Sequence, residues 1–440
     1  MVIIDLFSGA GGLSEGFHKE GYKIVAQVEK DHWATETLKT RYIFHELKKN
    51  NDLELYFKYL ASKKTYKDID DNREVIYKKY DYLKEKLNVE ILNKKFGNPA
   101  NDKDATSSKE VISLIENSLK FNNENSVSMI IGGPPCQAYS LVGRGRMGIE
   151  AEKDNRNFLF YYYLRIVKEF SPKMFVFENV PGILSAKKGK VFEEIQAQFD
   201  KVGYSVLSGP NTGDLANVLN FADFGIPQSR KRVLLFGFKK ELNLQYPRYT
   251  EEIVNWDHDI NTQNVISDLP LLYPGQGTDN LVDYDDKNLS TFQSIMRKDS
   301  VGVLNHQARS IQDRDREIYR IAINKARSGE KLSYPDLPSE LKTHKNENVF
   351  KDKFKVHEDN QIPHTVVAHI SKDGHYNIHY DINQARSLTV REAARIQTFP
   401  DNFLFEGPRT AQFVQVGNAV PPLMSEIIAK TIKKEFYINQ

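Results

Sequence analysis

Val2-Ile-Ile-Asp-Leu-Phe-Ser-Gly-Ala-Gly-Gly12 opens the chain with an apolar run, a glycine turn and, from Leu13 to Phe17, the start of a helix. Strand, glycine turn and helix N-terminus in that order are the opening of a nucleotide-binding βαβ unit, in which glycines let a ligand approach the backbone closely. The spacing is Phe-x-Gly-x-Gly-Gly, at Phe7, Gly9, Gly11 and Gly12, and not the G-x-G-x-x-G of dinucleotide binders. A second strand, Lys23-Ile-Val-Ala-Gln-Val28, ends at Glu29. An acid at that position is placed to bind ribose hydroxyls, although it also suits the first turn of a helix.

Met129-Ile-Ile-Gly-Gly-Pro-Pro-Cys-Gln-Ala-Tyr-Ser140 repeats the logic of a buried strand followed by a sharp turn, and it holds Cys136, the one cysteine of the chain. Two prolines fix their own φ and push the preceding residue towards extended geometry. A thiol is thereby expected at the carboxyl end of a parallel strand, where open α/β sheets place their ligands. Cysteine is a strong nucleophile once ionised, but a free cysteine also serves as a small core hydrophobe. Another strand, Met174-Phe-Val-Phe177, leads into Glu178-Asn-Val-Pro-Gly182, which brings a carboxylate to the same crevice. Ser229-Arg-Lys-Arg232 forms a basic turn into a further strand, and such clusters also ring ordinary sheet edges.

The totals limit the alternatives. At 440 residues two domains are expected, and 40% hydrophobic with 27% charged content fits a globular protein. A net charge of +2 leaves nucleic-acid binding to local basic surfaces. One cysteine excludes an intramolecular disulfide and a multi-cysteine zinc site. No apolar run approaches the roughly 18 residues of a membrane span, and Asp5 stops the first apolar run too early for a secretory signal, so a cytoplasmic location is expected.

Residues 45–110 are polar and lysine-rich, with helical periodicity through Leu53–Leu60 and Val75–Leu83, and read as a helical insert followed by a loop at Gly97–Asp104. Its charge run reads first as a solvated face. The loop Leu141–Gly148 carries Arg144 and Arg146 between glycines, positions suited to gripping phosphates. From 245 to 362 the βα rhythm lapses, which predicts a smaller irregular domain, and regular patterning returns from 363 to a C-terminal helix striped with Leu423, Ile427, Ile428 and Ile432.

Taken in order, Asp5–Gly12, Gly133–Ser140, Glu178-Asn-Val180, Gln228–Arg232, Arg391–Gln397 and Gly417-Asn-Ala-Val420 resemble the motif blocks of the C5-cytosine-specific DNA methyltransferases. The resemblance covers residues 1–44, about 120–240 and about 363–440. It implies an α/β, Rossmann-like S-adenosylmethionine-dependent methyltransferase sheet in residues 1–244 and 363–440, with a target-recognition domain at 245–362. Cys136 would add to cytosine C6, Glu178 would protonate N3, and Arg230 and Arg232 would polarise the ring carbonyl and hold the Glu178 network. Asp5, Phe7, Ser8, Gly9, Gly11, Gly12, Glu29, Pro134, Leu159 and Asn418 would meet S-adenosyl-L-methionine, with Phe7 against the adenine. Gln137, Ser140, Arg144 and Arg146 are the candidate DNA contacts, no metal is expected, and Arg391 and Arg395 would join the domains. The implied partner is duplex DNA, with a cognate restriction endonuclease, from a monomeric enzyme. Cytosine methylation in RNA and a catalytically silent DNA-binding protein are the competing readings.

Overall fold

A computed structural model describes residues 1–63, 65, 67, 69–134, 159–209, 218–256, 260–285, 287–343 and 353–436. The strands are β1 (Val2–Leu6), β2 (Lys23–Glu29), β3 (Ile91–Asn93), β4 (Lys95–Phe96), β5 (Ala105–Thr106), β6 (Met129–Gly132), β7 (Met174–Asn179), β8 (Tyr204–Leu207), β9 (Leu219–Asn220) and β10 (Lys231–Lys239). The central sheet runs in the order β3-β2-β1-β6-β7-β10-β8, with β9 paired to the start of β10. The run from β3 to β7 is parallel, and β10 is antiparallel to both β7 and β8. The parallel strands therefore deliver their last residues to one edge, whereas β10 delivers its first. Val233 stands opposite Asn179 and Leu234 opposite Glu178, so the basic turn at the head of β10 arrives beside the carboxylate at the end of β7.

Helices α1 (Gly12–Lys19), α2 (His32–Lys49), α3 (Leu53–Ser62), α4 (Ile69–Lys79), α5 (Tyr82–Glu90), α6 (Ser108–Phe121), α7 (Leu159–Phe170) and α8 (Lys190–Lys201) belong to the first part of the chain. The parallel strands are buried on both faces. Ile4, Leu6, Ile130, Phe175 and Phe177 point into one core with α6, α7 and α8. Ile3, Ile131, Val176 and Leu234 point into the other, with Phe17 of α1 and Met424, Ile428 and Ile432 of the last helix. Gly16 sets the spacing between those two helices, since a Cβ there would lie 2.1 Å from the Glu426 backbone nitrogen. Both ends of the chain thus build one layer.

Two expectations are corrected. The insert is narrower than 45–110: α2 runs unbroken to Lys49, and β3, inside the expected insert, extends the sheet as a parallel partner of β2. Three residues are too few to show a strand period in sequence. The extra helices, α3 and α4, are bolted to the core by buried polar contacts. Glu406 accepts from Thr40 Oγ1 at 2.8 Å and from Tyr59 Oη at 2.9 Å, and pairs with Lys63, while Arg73 pairs with Glu36. Residues 97–104 form the expected loop, bracketed by β4 and β5, which pair in parallel.

The second correction concerns the boundaries at 245 and 362. Tyr246 and Tyr249 pack in the core beneath the sheet. Val265, Ile266 and Phe292, from α9 (Thr262–Ile266) and α10 (Thr291–Arg297), share a core with Ile396, Phe403 and Phe413. A separate cluster forms around α11 (Asp313–Arg327), where Ile318, Tyr319 and Ile323 meet Phe354, Ile378 and Ala385. The packing boundary is not at 362, since residues up to 385 close this second cluster.

The chain then returns through α12 (Val390–Ile396), α13 (Arg409–Asn418) and α14 (Pro422–Phe436). A reciprocal cap starts α12: Glu392 N donates to Thr389 Oγ1 at 3.2 Å and Thr389 N donates to Glu392 Oε2 at 2.7 Å. The arginines of this helix join segments, as expected. Arg395 spends its donors on Asp401, Asp268 and the Val265 carbonyl, and Arg391 on the carbonyls of Leu304, Pro400 and Phe403.

Candidate active site

The carboxyl edge of the parallel strands opens into a cavity of about 990 Å³. Its floor begins at the glycine turn after β1. Phe7 has φ 59°, a left-handed conformation that an aromatic residue rarely adopts, and Gly11 has φ 87°. The turn is held by Ser8 N to Val28 O at 3.2 Å and Gly11 N to Ser8 O at 3.0 Å. Phe7, Ser8, Gly9 and Gly12 border the cavity, whereas Gly11 does not. A Cβ on Gly11 would lie 2.7 Å from Leu38 Cδ2, so its part is to let the turn close.

Glu29, at the end of β2, accepts Gly9 N at 2.9 Å through Oε2 and Asp31 N at 2.8 Å through Oε1. Burial pushes its carboxyl above the usual value, opposed by those two N–H groups. Each oxygen keeps a lone pair for a ligand hydroxyl. Asp5 is wholly buried beneath the turn, yet borders the cavity, and accepts from Ser14 Oγ. On the far wall stand Phe96, Asn98, Asn101 and Asp102, which the sequence reading left outside the site. Phe96 lies 5.2 Å from Phe7 and 5.7 Å from Tyr162, ring centre to ring centre. Nothing in the polar stretch 94–102 signals this; the pairing of β4 with β5 brings it there.

Pro134, Leu159 and Asn418 also border the cavity. Asn179 Nδ2 donates to Pro134 O at 3.1 Å, which ties the proline turn leaving β6 to the end of β7. A Cβ on Gly133 would stand 3.2 Å from Glu178 Oε2, so the turn runs close beside the carboxylate. Cys136, Gln137, Ser140, Arg144 and Arg146 lie outside the described residues.

Glu178 and Arg232 form the charged corner of the cavity, with Arg232 Nε 2.7 Å from Glu178 Oε1 and 13% of each side chain exposed. The contact is an ion pair rather than an aligned hydrogen bond, and Oε1 has no hydrogen-bond donor among the described residues. Arg232 Nη1 donates to Lys231 O at 2.8 Å.

Arg230 precedes Arg232 by two residues. It borders the cavity, but its guanidinium is a clasp: Nη1 donates to Val366 O at 2.9 Å, and Nη2 to Ala419 O at 3.0 Å and Gly417 O at 3.4 Å. Burial, and then the neighbouring Arg232, hold its pKa well below the arginine norm. These donors are committed to the backbone, while Nε is buried with no partner among the described residues. Gln228 has a like role, accepting Val366 N at 2.8 Å and donating to Gln397 Oε1 at 2.8 Å.

Comparison with known proteins follows the same lines. The family model for C-5 cytosine-specific DNA methylases matches residues 1–70 and 78–434. The chain is 60% identical over 438 residues to the Type II methyltransferase M.Bpa9945I of Bacillus paralicheniformis, covering 98% of both chains. It is 32% identical to the Type II methyltransferase M.DdeI of Desulfomicrobium norvegicum, covering 99% of this chain and 89% of that one. A prophage-encoded E. coli protein described as a DNA modification methyltransferase shares the fold, with a TM-score of 0.59 at 21% identity over 99% of each chain. The S. pombe Dnmt2 methyltransferase does so with a TM-score of 0.51 at 13% identity, over 99% of this chain and 100% of that one. A mixed α/β sheet, a cavity at the strand ends and this match across nearly the whole chain place the protein among the C-5 cytosine-specific DNA methylases, as an enzyme that methylates cytosine in DNA.

Proposed function

We propose that the enzyme transfers a methyl group from S-adenosyl-L-methionine to C5 of a cytosine turned out of a specific duplex DNA sequence, through a covalent Cys136–C6 adduct. The observation that carries this reading is Glu178: a carboxylate with an oxygen that has no donor among the described residues, held at the cavity corner by Arg232 and beside the proline turn that leads in sequence to Cys136.

The cavity suits both ligands. A volume of about 990 Å³ is at the upper end for small-molecule sites, which leaves room for a nucleoside and a base together. Phe7, Glu29 and the Gly9–Gly12 turn would hold the adenine, the ribose hydroxyls and the amino-acid part of the methyl donor. When bound, S-adenosylmethionine supplies an electrophilic methyl group. Because C5 of cytosine is a poor nucleophile, the Cys136 thiolate adds to C6 and Glu178 delivers a proton to N3, which turns C5 into an enamine-like carbon. Arg232 fixes the Glu178 carboxylate and offers positive charge to the ring carbonyl. Once C5 carries the methyl group, its proton passes to solvent, the C6–S bond breaks to restore the Cys136 thiolate, and Glu178 takes back the N3 proton. The target base must leave the helix to reach such a cavity. Gln137, Ser140, Arg144 and Arg146 would contact the DNA, a restriction endonuclease acting on the same sequence is the expected companion, and the enzyme would work as a cytoplasmic monomer. Among the described residues no helix is long and apolar enough to cross a membrane.

The test is a covalent trap. Duplex DNA with 5-fluorocytosine at the target should form a denaturation-resistant adduct in the presence of S-adenosylmethionine, and Cys136→Ser should bind the DNA without forming it. An adduct that persists in Cys136→Ser would remove the nucleophile assignment.

A further inference from the structure

Residues 366–372 form part of the cavity rim, and two arginines hold them in place from opposite ends. Val367, Ala368 and His369 border the cavity, and a single turn of 3-10 helix runs from Ala368 to Ser371. Arg230 donates to Val366 O at 2.9 Å. At the other end Arg309 donates through Nη2 to Ile370 O at 3.1 Å and Ser371 O at 3.3 Å, and through Nη1 to Lys372 O at 2.8 Å. Ile370 is buried in one core with Phe413 and Val416. The main chain passes so close to α13 that a Cβ on Gly417 would lie 2.2 Å from Ala368 N. Carbonyls of a surface turn are ordinarily satisfied by water; here four guanidinium hydrogen bonds fix them instead.

The clamped turn presents two side chains. His369 and Lys372 are both exposed, and neither side chain has a partner among the described residues. The neighbouring Asp373 carboxylate lies 3.9 Å from both Lys353 Nζ and His375 Nε2. An imidazole N–H and an ammonium group thus stand on a rigid rim as donors with nothing to donate to. A duplex must reach this rim if its cytosine is to enter the cavity, and the acceptors it brings are the phosphates beside the extruded nucleotide. We propose that His369 and Lys372 hold phosphodiester groups of the target strand within about two nucleotides of the flipped cytosine. The inference rests on the base-flipping reading above, and the contact lies outside both the loop that follows Cys136 and the expected 245–362 domain. Phosphate contacts fix the register of the duplex and carry no sequence information, so this pair serves any recognition sequence equally.

The test follows binding of the full-length enzyme to a labelled duplex carrying the sequence it methylates, by fluorescence anisotropy in KCl from about 50 to about 200 mM. Lys372→Ala should weaken binding about tenfold at the lower salt, as expected for losing one hydrogen bond to a charged group. It should also reduce the slope of log Kd against log salt by about 0.9, the value for one phosphate contact. His369→Ala should weaken binding by a similar factor, and His369→Gln, which keeps an N–H donor, should recover most of it. Duplexes in which single phosphates are replaced by neutral methylphosphonate then locate the contact. Wild type should lose affinity at positions beside the target cytosine, and each variant should be insensitive at the position its side chain serves. Variants that bind like wild type would overturn the proposal. So would a weakened variant that responds to every methylphosphonate as wild type does, since that marks a structural effect. A changed affinity of His369→Ala for S-adenosylmethionine without DNA would move the residue to the methyl-donor side and likewise overturn it. Wild-type enzyme that binds duplex DNA but places no methyl group in it would instead defeat the proposed function.

Discussion

The junction around α12 and the corner of the cavity use the same chemistry, guanidinium against carboxylate, to opposite ends. At the junction Arg395, Asp401 and Asp268 are fully buried, and the five donors of Arg395 are consumed at 2.5–3.1 Å. At the corner Arg232 and Glu178 meet at 2.7 Å, and among the described residues Glu178 keeps an oxygen without a donor. A saturated pair holds elements together and has nothing left for a ligand. An unsaturated pair at a cavity wall gives up some stability and retains capacity to exchange a proton. Of Arg230 and Arg232, two residues apart, the first spends Nη1 and Nη2 on backbone carbonyls and keeps Nε without a partner among the described residues, whereas the second meets Glu178.

The division can be broken experimentally, and the largest effect belongs to the corner. Glu178→Gln should slow single-turnover methylation by about 10²–10⁴-fold, the range of general acid–base contributions, while the unfolding midpoint stays within a few degrees of wild type. A comparable loss of stability would make Glu178 a structural residue. Arg395→Met should do the reverse. Removing one partner of a buried pair leaves Asp268 only Arg297 and Asp401 chiefly Tyr284 Oη, and costs up to about 3–5 kcal/mol, read by urea unfolding; a cost below about 1 kcal/mol would show that the junction is not a clamp.

Arg230→Gln sharpens the contrast. Its three carbonyl contacts predict a stability loss of about 1.5–3 kcal/mol, typical of hydrogen bonds to charged groups. If Arg230 were catalytic, turnover would collapse at unchanged stability. Thr389→Ala, which removes the cap of α12, should cost about 1 kcal/mol and leave turnover unchanged.

The junction should also respond to acid. Burial alone would raise the carboxyls of Asp401 and Glu392, but Arg395 and Arg386 hold them below their ordinary values. Groups depressed in the folded state contribute stability that is present above their unfolded values, near pH 4, and is lost as pH falls through the depressed ones. Urea midpoints measured from about pH 5 down to about pH 2 should fall in the wild type and fall less in a variant that already lacks Arg395.

What the sequence made legible was the chemistry that needs a particular residue type at a strand end. Phe7, Glu29 and Glu178 stand at the edge of the cavity because a buried apolar run must stop where the sheet stops. The joining role of Arg391 and Arg395 was implied by the motif resemblance, and their donors meet carbonyls and carboxylates of other segments. That of Arg230 was not: sequence gives its charge, but only the antiparallel entry of β10 decides that Arg232 meets Glu178 while Arg230 turns to Val366 and Ala419. The Phe96 wall was hidden for another reason, because β3, β4 and β5 are too short for any periodicity to announce them. The boundary at 362 failed because Ile378 and Ala385 close a core begun at Ile318, a contact made across many intervening residues.

The central claim is that the Glu178 corner performs C5 methylation of cytosine in duplex DNA. Bisulfite sequencing of plasmid DNA from cells expressing wild type, Glu178→Gln or Arg395→Met tests it most directly. The account predicts fully protected cytosines at one short recurring sequence with wild type, none with Glu178→Gln although that protein accumulates as folded enzyme, and a loss with Arg395→Met that follows the amount of folded protein. Full protection by Glu178→Gln, or protection scattered without a recurring sequence, would contradict it.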